Sequence, residues 1–567
     1  MLSDDFTTGT VSLVVAVTGH RELGADDIPR YGAEIRLILG ELKKKYPSTP
    51  LLLLSGLAEG ADRIAVRVAR EKEIAVPYVA ILPMPEDLYR TEFTTEASDR
   101  EFQDLLDNAA RCITLPLAPG ATRDAVQLPG DARSHQYRLL GEYLVRYSQI
   151  LIAVWDQDRA RKEGGTTDVV DLKLRRDMRH HRLARSRINA EGAGPVYIIP
   201  ARTAGAGHAA SPAGPARRRQ QDAPHGAKWE EYEACYRLLD QFNADVARAG
   251  KNFAKAVSKS REDLFAEGEP EGLTPAMKWV VAVYSRADAL AIRYSERGLL
   301  TWKFAFVMLA CAGLCLALSH VPGLDDFLYG YYGCLAPPAL LILLERKAEL
   351  RGRHEDYRAL AEALRVQFFW MVAGLPDLAA DQYLRKQAGE MVWIRDAISE
   401  CALHEGVLGL SPAEPEGRAA RLRLAHDWVV SQKGYFERTG VRHERKKRGF
   451  HIFAGVAGMV GLALPLLGRF CELGSWAEVT APVAMWWAAL AVDYVERRGF
   501  TQEARQYAQM RVLFQDADQD LDEFEADREF GKCEETLREL GCQSLTESAD
   551  WLALHRERRL STALGAK

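Results

Sequence analysis

VSLVVAVTGHR, residues 11–21, is the stretch on which the fold turns. A run of apolar, mostly β-branched residues with little polar alternation predicts a strand covered on both faces, the habit of parallel sheets flanked by helices. The glycine that ends the run predicts a sharp turn at the strand's carboxyl end. Working outward, apolar runs recur at 50–54, 76–82, 112–115, 150–154 and 196–199, and helical periodicity fills the gaps at about 23–45, 60–73, 97–110, 134–148 and 167–188. This alternation predicts an α/β fold, a Rossmann-like doubly wound parallel sheet over residues 1–205. Residues 203–227 are rich in Ala, Gly and Pro and lack periodicity, which predicts a flexible linker or surface excursion, bounded as 206–228.

Three strand ends carry residues suited to an anionic ligand. At the first, Gly19 frees the backbone to turn, Arg21 offers a bidentate phosphate contact and His20 a donor to phosphate or ribose. The second runs into Ser55-Gly56-Leu57-Ala58-Glu59-Gly60-Ala61-Asp62. Its two glycines four apart fit close passage of backbone beside a ligand that Ser55 can bond, and Glu59 or Asp62 either receives ribose hydroxyls or caps the helix. After Trp155-Asp156, the segment Gly164-Gly165-Thr166 forms a phosphate-cradling start to a helix. A single junction of this kind is equally an ordinary turn. Three at the carboxyl ends of three strands predict a pocket, with Gly19, His20, Arg21, Ser55, Gly56, Glu59, Gly60, Asp62, Asp156, Gly164, Gly165 and Thr166 as nucleotide-binding candidates. No metal site is expected, and no cofactor beyond a nucleotide-derived ligand.

A chain of 567 residues exceeds one ordinary core. With 27% charged residues and a formal net charge of -5, its global electrostatics points neither to a nucleic-acid binder nor to an acidic scaffold. Nine cysteines without a CxxC pair, three of them (Cys311, Cys315, Cys334) in apolar runs, suggest buried hydrophobes in a reducing compartment. The acidic, polar opening MLSDDFTTGT is no signal peptide, so export of the first domain is not expected.

Residues 304–321, 327–344, 450–468 and 476–495 hold almost no charge, and each is close to the length of the hydrocarbon core. They predict four transmembrane helices in two hairpins. Basic residues flank them on one side: Arg293, Arg297 and Lys303, then Arg346 to Arg353, Arg442 to Arg448, and Arg497 with Arg498, whereas the hairpin tips are poor in positive charge. That is the positive-inside pattern of a multi-pass inner-membrane protein with both termini cytoplasmic. Four buried helices of a soluble protein are the competing reading, which the flanks argue against. Pro337-Pro338 and Pro465 predict kinks or early ends. Gly313, Gly455, Gly458 and Gly461 offer small faces for helix association, and a homo-oligomer is expected. Asp325, Asp326, Glu478 and Asp493 all lie near span ends, which argues against a pump.

The two hairpins resemble each other. RYSERG (293–298) precedes the first and YFERTG (435–440) the second, and each is followed by a charged helix with an aromatic-aliphatic register, Tyr357 with Leu360 and Tyr507 with Met510. A duplicated unit of helix, two spans and helix follows.

TGHR, LLSGLAEGADRIA, LPMP with Tyr89-x-x-x-Phe93, and WDQD followed by GGTTDVV together resemble the SLOG superfamily over about residues 10–205. This is the Rossmann-like group related to the nucleotide phosphoribohydrolases, the DNA-processing protein A family and the nucleotide-sensing region of certain TRP-type channels. The remainder is similar in arrangement to SLATT two-span membrane modules of bacterial conflict and antiphage systems. The resemblance implies that Gly19, Gly56 and Gly60 form anion-binding turns and that Gly164-Gly165-Thr166 matches a GGxGT loop in part. The phosphoribohydrolases read PGGxGTxxE there with a catalytic Glu; this chain has Val169, and Asp168, one residue early, leaves the helix in another direction.

The expected function is therefore a membrane-anchored sensor of a nucleotide-type small molecule, coupled to a four-span effector that forms a pore or perturbs the lipid bilayer in antiphage defence. The domains expected are 1–205, the linker 206–228, 229–400 with the first hairpin, 401–519 with the second, and a cytoplasmic helical tail at 520–567. One alternative is a membrane-tethered phosphoribohydrolase-like enzyme with Asp168, Glu59 and Arg21 as catalytic candidates. Another is a structural adaptor that binds lipid or nucleic acid through the basic cluster at 175–187.

Overall fold

The computed structural model describes residues 9–156, 163–175, 194–201, 219–221, 229–265, 268–270, 272–348, 350–383, 391–405, 415–471 and 475–564. The apolar runs form six strands: β1 (Leu13–Gly19), β2 (Leu51–Ser55), β3 (Tyr78–Leu82), β4 (Arg111–Thr114), β5 (Ile150–Trp155) and β6 (Val196–Pro200). Helices α1 (Ile28–Lys45), α2 (Ala61–Arg70), α3 (Glu86–Arg90), α4 (Glu96–Asp107), α5 (Arg123–Gln127), α6 (Asp131–Tyr147) and α7 (Thr166–Arg175) connect them. The strands pair in parallel in the order β4-β3-β2-β1-β5-β6, with Leu13 opposite Leu51 and Val15 opposite Ile150. Strands β2, β3 and β5 are buried throughout, as continuous apolar runs require when helices cover both faces. β4 lies at an edge and alternates. Inside the stretch read as linker, β7 (Arg219–Gln221) adds an antiparallel strand beside β6.

Two boundaries differ from the sequence pattern for local reasons. β1 begins at Leu13 rather than Val11 because the Val11 amide and carbonyl are bonded by the Asn243 carboxamide (2.9 and 2.8 Å) and the Ser12 amide by Glu400 (2.7 Å). α1 begins at Ile28 rather than near 23 because a 3-10 turn at Ala25–Asp27 precedes it and a proline occupies its first turn.

The helical region comprises α8 (Trp229–Arg248), α9 (Lys251–Glu262), α10 (Pro275–Leu318), α11 (Phe327–Ala348), α12 (Leu350–Ala373), α13 (Val392–Ser399), α14 (Ala402–Glu405), α15 (Pro415–Cys471), α16 (Ser475–Arg498), α17 (Phe500–Ala526) and α18 (Phe530–Leu564). One continuous core runs from the sheet through α8, α10, α12, α15, α17 and α18. Tyr294 meets Tyr357 at 5.8 Å beside the first hairpin, and Phe436 meets Tyr507 at 6.1 Å beside the second. The C-terminal helix α18 packs on α12 and α17, with Trp551 beside His354 at 6.3 Å.

Two helices, Pro275–Leu318 and Gly417–Leu467, are long and apolar enough to cross a membrane, and only 11% and 6% of their apolar windows are buried. A core helix of a soluble protein would hide that surface. α11 and α16 return beside them as the second arms of two hairpins, 22 and 24 residues long. Among the described residues Pro275–Leu318 and Gly417–Leu467 alone meet that measure; in α16, Thr480, Pro482, Trp486, Trp487 and Asp493 dilute the apolar run. The helices continue through Pro337, Pro338, Pro465 and Pro482 rather than ending there.

The hairpins dock on each other. Gly313 faces Trp486 so closely that a Cβ would lie 2.2 Å from the ring, and the Trp486 and Trp487 indoles donate to the Leu309 and Ala310 carbonyls of α10 (2.9 and 3.2 Å). Gly461 packs on Met485, whereas nothing lies within 4 Å of a Cβ at Gly455 or Gly458.

Candidate functional site at the strand switch point

Strands β2, β3 and β4 add to one side of β1 and β5 and β6 to the other, so the direction of winding reverses between β1 and β5. The crevice at the carboxyl end of such a reversal is where doubly wound sheets take ligands. His20 follows β1 and Asp156 follows β5. Their side chains meet there at 3.0 Å, and the Asp156 amide lies 3.2 Å from the same imidazole nitrogen.

The β2 junction closes against this point. The Ala61 amide donates to the His20 carbonyl (3.2 Å). Gly60 has φ +82°, and a Cβ there would lie 2.3 Å from the His20 oxygen and 2.5 Å from that of Arg21; at Gly19 it would lie 2.4 Å from Ala61 Cβ. These two glycines therefore let three backbone segments touch. They were expected to present open amides to a ligand, and the Ala61 amide is instead occupied by the protein.

The same holds for the Ser55–Gly60 loop. Asp62 Oδ2 accepts the Gly56 amide (3.1 Å), Ser55 Oγ accepts the Leu57 amide (3.1 Å), and Tyr89 donates to the Gly56 carbonyl (2.9 Å). The anion in this cradle is the chain's own Asp62. Burial pushes its carboxyl up to about 7, against the pull of the Ala58 and Gly56 amides and of Arg21. Glu59 takes the Ser98 hydroxyl, and Arg63 bonds the Leu57 carbonyl (3.1 Å) and stacks 4.5 Å over Phe93. Tyr89 and Phe93, 5.4 Å apart, thus brace the loop.

Gly164 has φ +73° and is pressed on α6, where a Cβ would lie 2.7 Å from Tyr137 Cβ. Its amide donates to Asp168 Oδ2 (3.1 Å), which Arg138 also reaches (3.4 Å), and Thr167 takes the Trp155 indole N–H (3.0 Å). Gly165 and Thr166 open α7 and are part-exposed. Asp168 thus closes its own loop.

Arg21 pairs with Glu92 and lies 4.9 Å over the Tyr137 ring. Glu92 also takes Arg133 (2.6 Å). Burial pushes the Glu92 carboxyl up, and the two guanidiniums more than reverse this, holding it below the usual carboxylate range. Tyr137 joins the β1 and β5 loops, since Arg21 covers its ring and Gly164 its Cβ. Tyr137, Arg133 and Glu92 were missed from sequence; the one signal was the four-residue spacing of Arg133, Tyr137 and Gly141, which places them on one face of α6. The basic cluster at 176–187 lies outside the described residues. Among the described residues no group of three or more His, Cys, Asp or Glu is placed to hold a metal ion. No protein-family model and no curated protein matches this chain, so its function is read from the fold and the site alone.

Proposed function

We propose that the chain is a membrane-anchored sensor in which a SLOG-like domain binds a nucleotide-derived ligand and four spans in two hairpins respond as an oligomer that opens or perturbs the bilayer. Both termini are cytoplasmic in this reading. What carries it is the convergence of three strand junctions on Arg21, whose guanidinium is held on a carboxylate that an incoming phosphate replaces. Coupling has a physical route. Asn243 on α8 holds the start of β1, and two residues on, Asp245 accepts Tyr294 of α10 (2.9 Å), Tyr357 of α12 (2.7 Å) and Arg353 (3.1 Å). The sheet and the bases of both helices flanking the first hairpin thereby share one neighbourhood.

Full-length protein in detergent, challenged with mono-, di- and cyclic nucleotides and nicotinamide dinucleotides, should show a rise in thermal midpoint with at least one ligand, absent in Arg21→Ala. In dye-loaded liposomes that ligand should release dye. No rise with any nucleotide, or an equal rise in Arg21→Ala, overturns the reading.

Asp62, buried at the site and titrating near neutrality, favours a second reading, a membrane-tethered nucleotide hydrolase. Release of free base from a nucleoside monophosphate, abolished in Asp62→Asn, would select it over sensing.

A further inference from the structure

α15 carries VRHERKKRG, residues 441–449, immediately before Phe450, where its apolar span begins. Five cations in seven positions, Arg442, Arg445, Lys446, Lys447 and Arg448, face a single acid, Glu444. Among the described residues none of the five is in an ion pair. Glu437, Glu444, Asp493 and Glu496 stay beyond ion-pair distance of them, and Glu503 of α17 lies instead 3.1 Å from His443. Arg442, Arg445, Lys446 and Arg448 are exposed, whereas His443 turns inward against Phe500 and Tyr507 (5.6 and 5.3 Å). Like charges three and four residues apart on a helix repel, so this surface calls for anions from outside the chain.

Rings fix its depth. Phe450 meets Tyr494 of α16 at 4.8 Å, and Tyr494 meets Phe306 of α10 at 5.0 Å. These rings join the bases of the two hairpins at one level, and Lys303 of α10, one turn before Phe306, adds an exposed cation there. From Phe450 back to Arg448 is about 3 Å of helix and back to Arg442 about 12 Å, which spans the headgroup layer beside the hydrocarbon. Helical spacing puts Arg442, Lys446, Phe453 and Val460 on one face of α15, and the two apolar side chains are exposed. Gly449 stands between the cations and this apolar surface, with nothing within 4 Å of an added Cβ.

We propose that this face of α15 binds an anionic phospholipid of the cytoplasmic leaflet, with the phosphate on Arg442 and Lys446 and an acyl chain along Phe453 and Val460. A single-stranded nucleic acid fits it poorly, because bases need rings among the cations on which to stack. The one ring in 441–449, His443, faces Glu503. α15 runs 57 residues without a break and stacks Trp428 on Phe369 of α12 (4.9 Å), so lipid charge at its membrane end would bear on the packing of the cytoplasmic helices. The proposal rests on the reading of α15 as a span and not on any nucleotide.

The test titrates the full-length protein in neutral detergent with dioctanoylphosphatidylglycerol and, in parallel, with dioctanoylphosphatidylcholine, reading bound lipid by native mass spectrometry. A cation at the membrane surface is worth about fivefold in affinity, so the anionic lipid should bind at least ~10-fold more tightly at low salt. That preference should shrink to under ~3-fold when Arg442→Gln and Lys446→Gln are combined, and in the parent when salt rises from about 50 mM to about 500 mM. Thermal midpoints report whether the double variant folds; if it does not, the salt series on the parent decides. Glycerol 3-phosphate, the headgroup without its chains, should not displace the lipid at ~10-fold excess. Equal binding of the two lipids at low salt, a preference that survives salt or the folded double variant, or displacement by glycerol 3-phosphate or by a single-stranded oligonucleotide overturns the proposal. Protein that stays soluble without detergent would overturn the membrane reading itself, and this proposal with it.

Discussion

Gly60 and Asp62 carry the site's geometry at the scale of single residues. With φ +82° and a carbonyl 2.3 Å from any added Cβ, Gly60→Ala should lower stability by about 1–3 kcal/mol, read as a drop in thermal midpoint together with loss of ligand binding. Asp62 gives a prediction with a sign. Its folded carboxyl titrates near 7, above its unfolded range, so the folded state binds the extra proton between about pH 4 and 7. Stability is favoured at the acid end of that window and falls as pH rises through it, by up to about 4 kcal/mol from this group alone. Asp62→Asn keeps an acceptor for the Gly56 amide and should flatten the fall, so the variant's advantage over the parent grows from pH 5 to pH 8 in denaturant titrations. Equal slopes for the two proteins would refute the assignment. The sequence made Gly19, Gly60 and Asp62 visible because each stands just beyond an apolar strand run. Which anion fills the loop was not legible, since the Asp62 to Gly56 contact forms only when the chain folds back on itself. Glu92 was hidden because it comes from a segment with no local signal, and Tyr137 offered only its four-residue spacing from Arg133 and Gly141 along α6.

Among elements, the six parallel strands were readable because burial on both faces leaves an unbroken apolar run, and each was found within two residues of its expected limits. β7 was not readable. Three polar residues pairing at a sheet edge have no periodicity to detect. The junction between sheet and helices was equally silent, although it rests on particular side chains. Asp245 receives three donors from α10 and α12, and Asp245→Ala leaves Tyr294 and Tyr357 without that acceptor and Arg353 without its carboxylate. A loss of about 3–5 kcal/mol is expected for a broken buried pair, with ligand binding at the sheet retained and dye release lost. Retained dye release would show that coupling runs elsewhere. Gly313→Leu tests the hairpin contact: its side chain meets the Trp486 ring, and overpacking of about 1–3 kcal/mol should lower the thermal midpoint in detergent.

For the molecule as a whole, the sheet does not stand alone. Val11 and Ser12 are completed by Asn243 and Glu400, Arg146 pairs with Asp381, and one core spans both regions. A fragment of residues 1–205 should therefore lack a cooperative thermal transition, whereas the full chain should show one in detergent; a stable, cooperative fragment would contradict this. Gly455 and Gly458, open on α15 among Ile452, Val456 and Met459, mark the face on which copies would associate. Light scattering in detergent should report an oligomer that Gly455→Leu with Gly458→Leu reduces in size.

α10 runs 44 residues without interruption, meeting Asp245 through Tyr294 and ending at the tip of the first hairpin. Such a rod has a phase as well as a length: each added residue turns everything beyond it by about 100° and advances it by about 1.5 Å. One alanine inserted after Gly298 would swing Leu309, Ala310 and Gly313 away from the α16 indoles while leaving every cytoplasmic contact in register. Four inserted alanines would bring the same face back to within about 40°. If the two hairpins obey the base of this rod, signalling should vanish with the first insertion and partly return with the second.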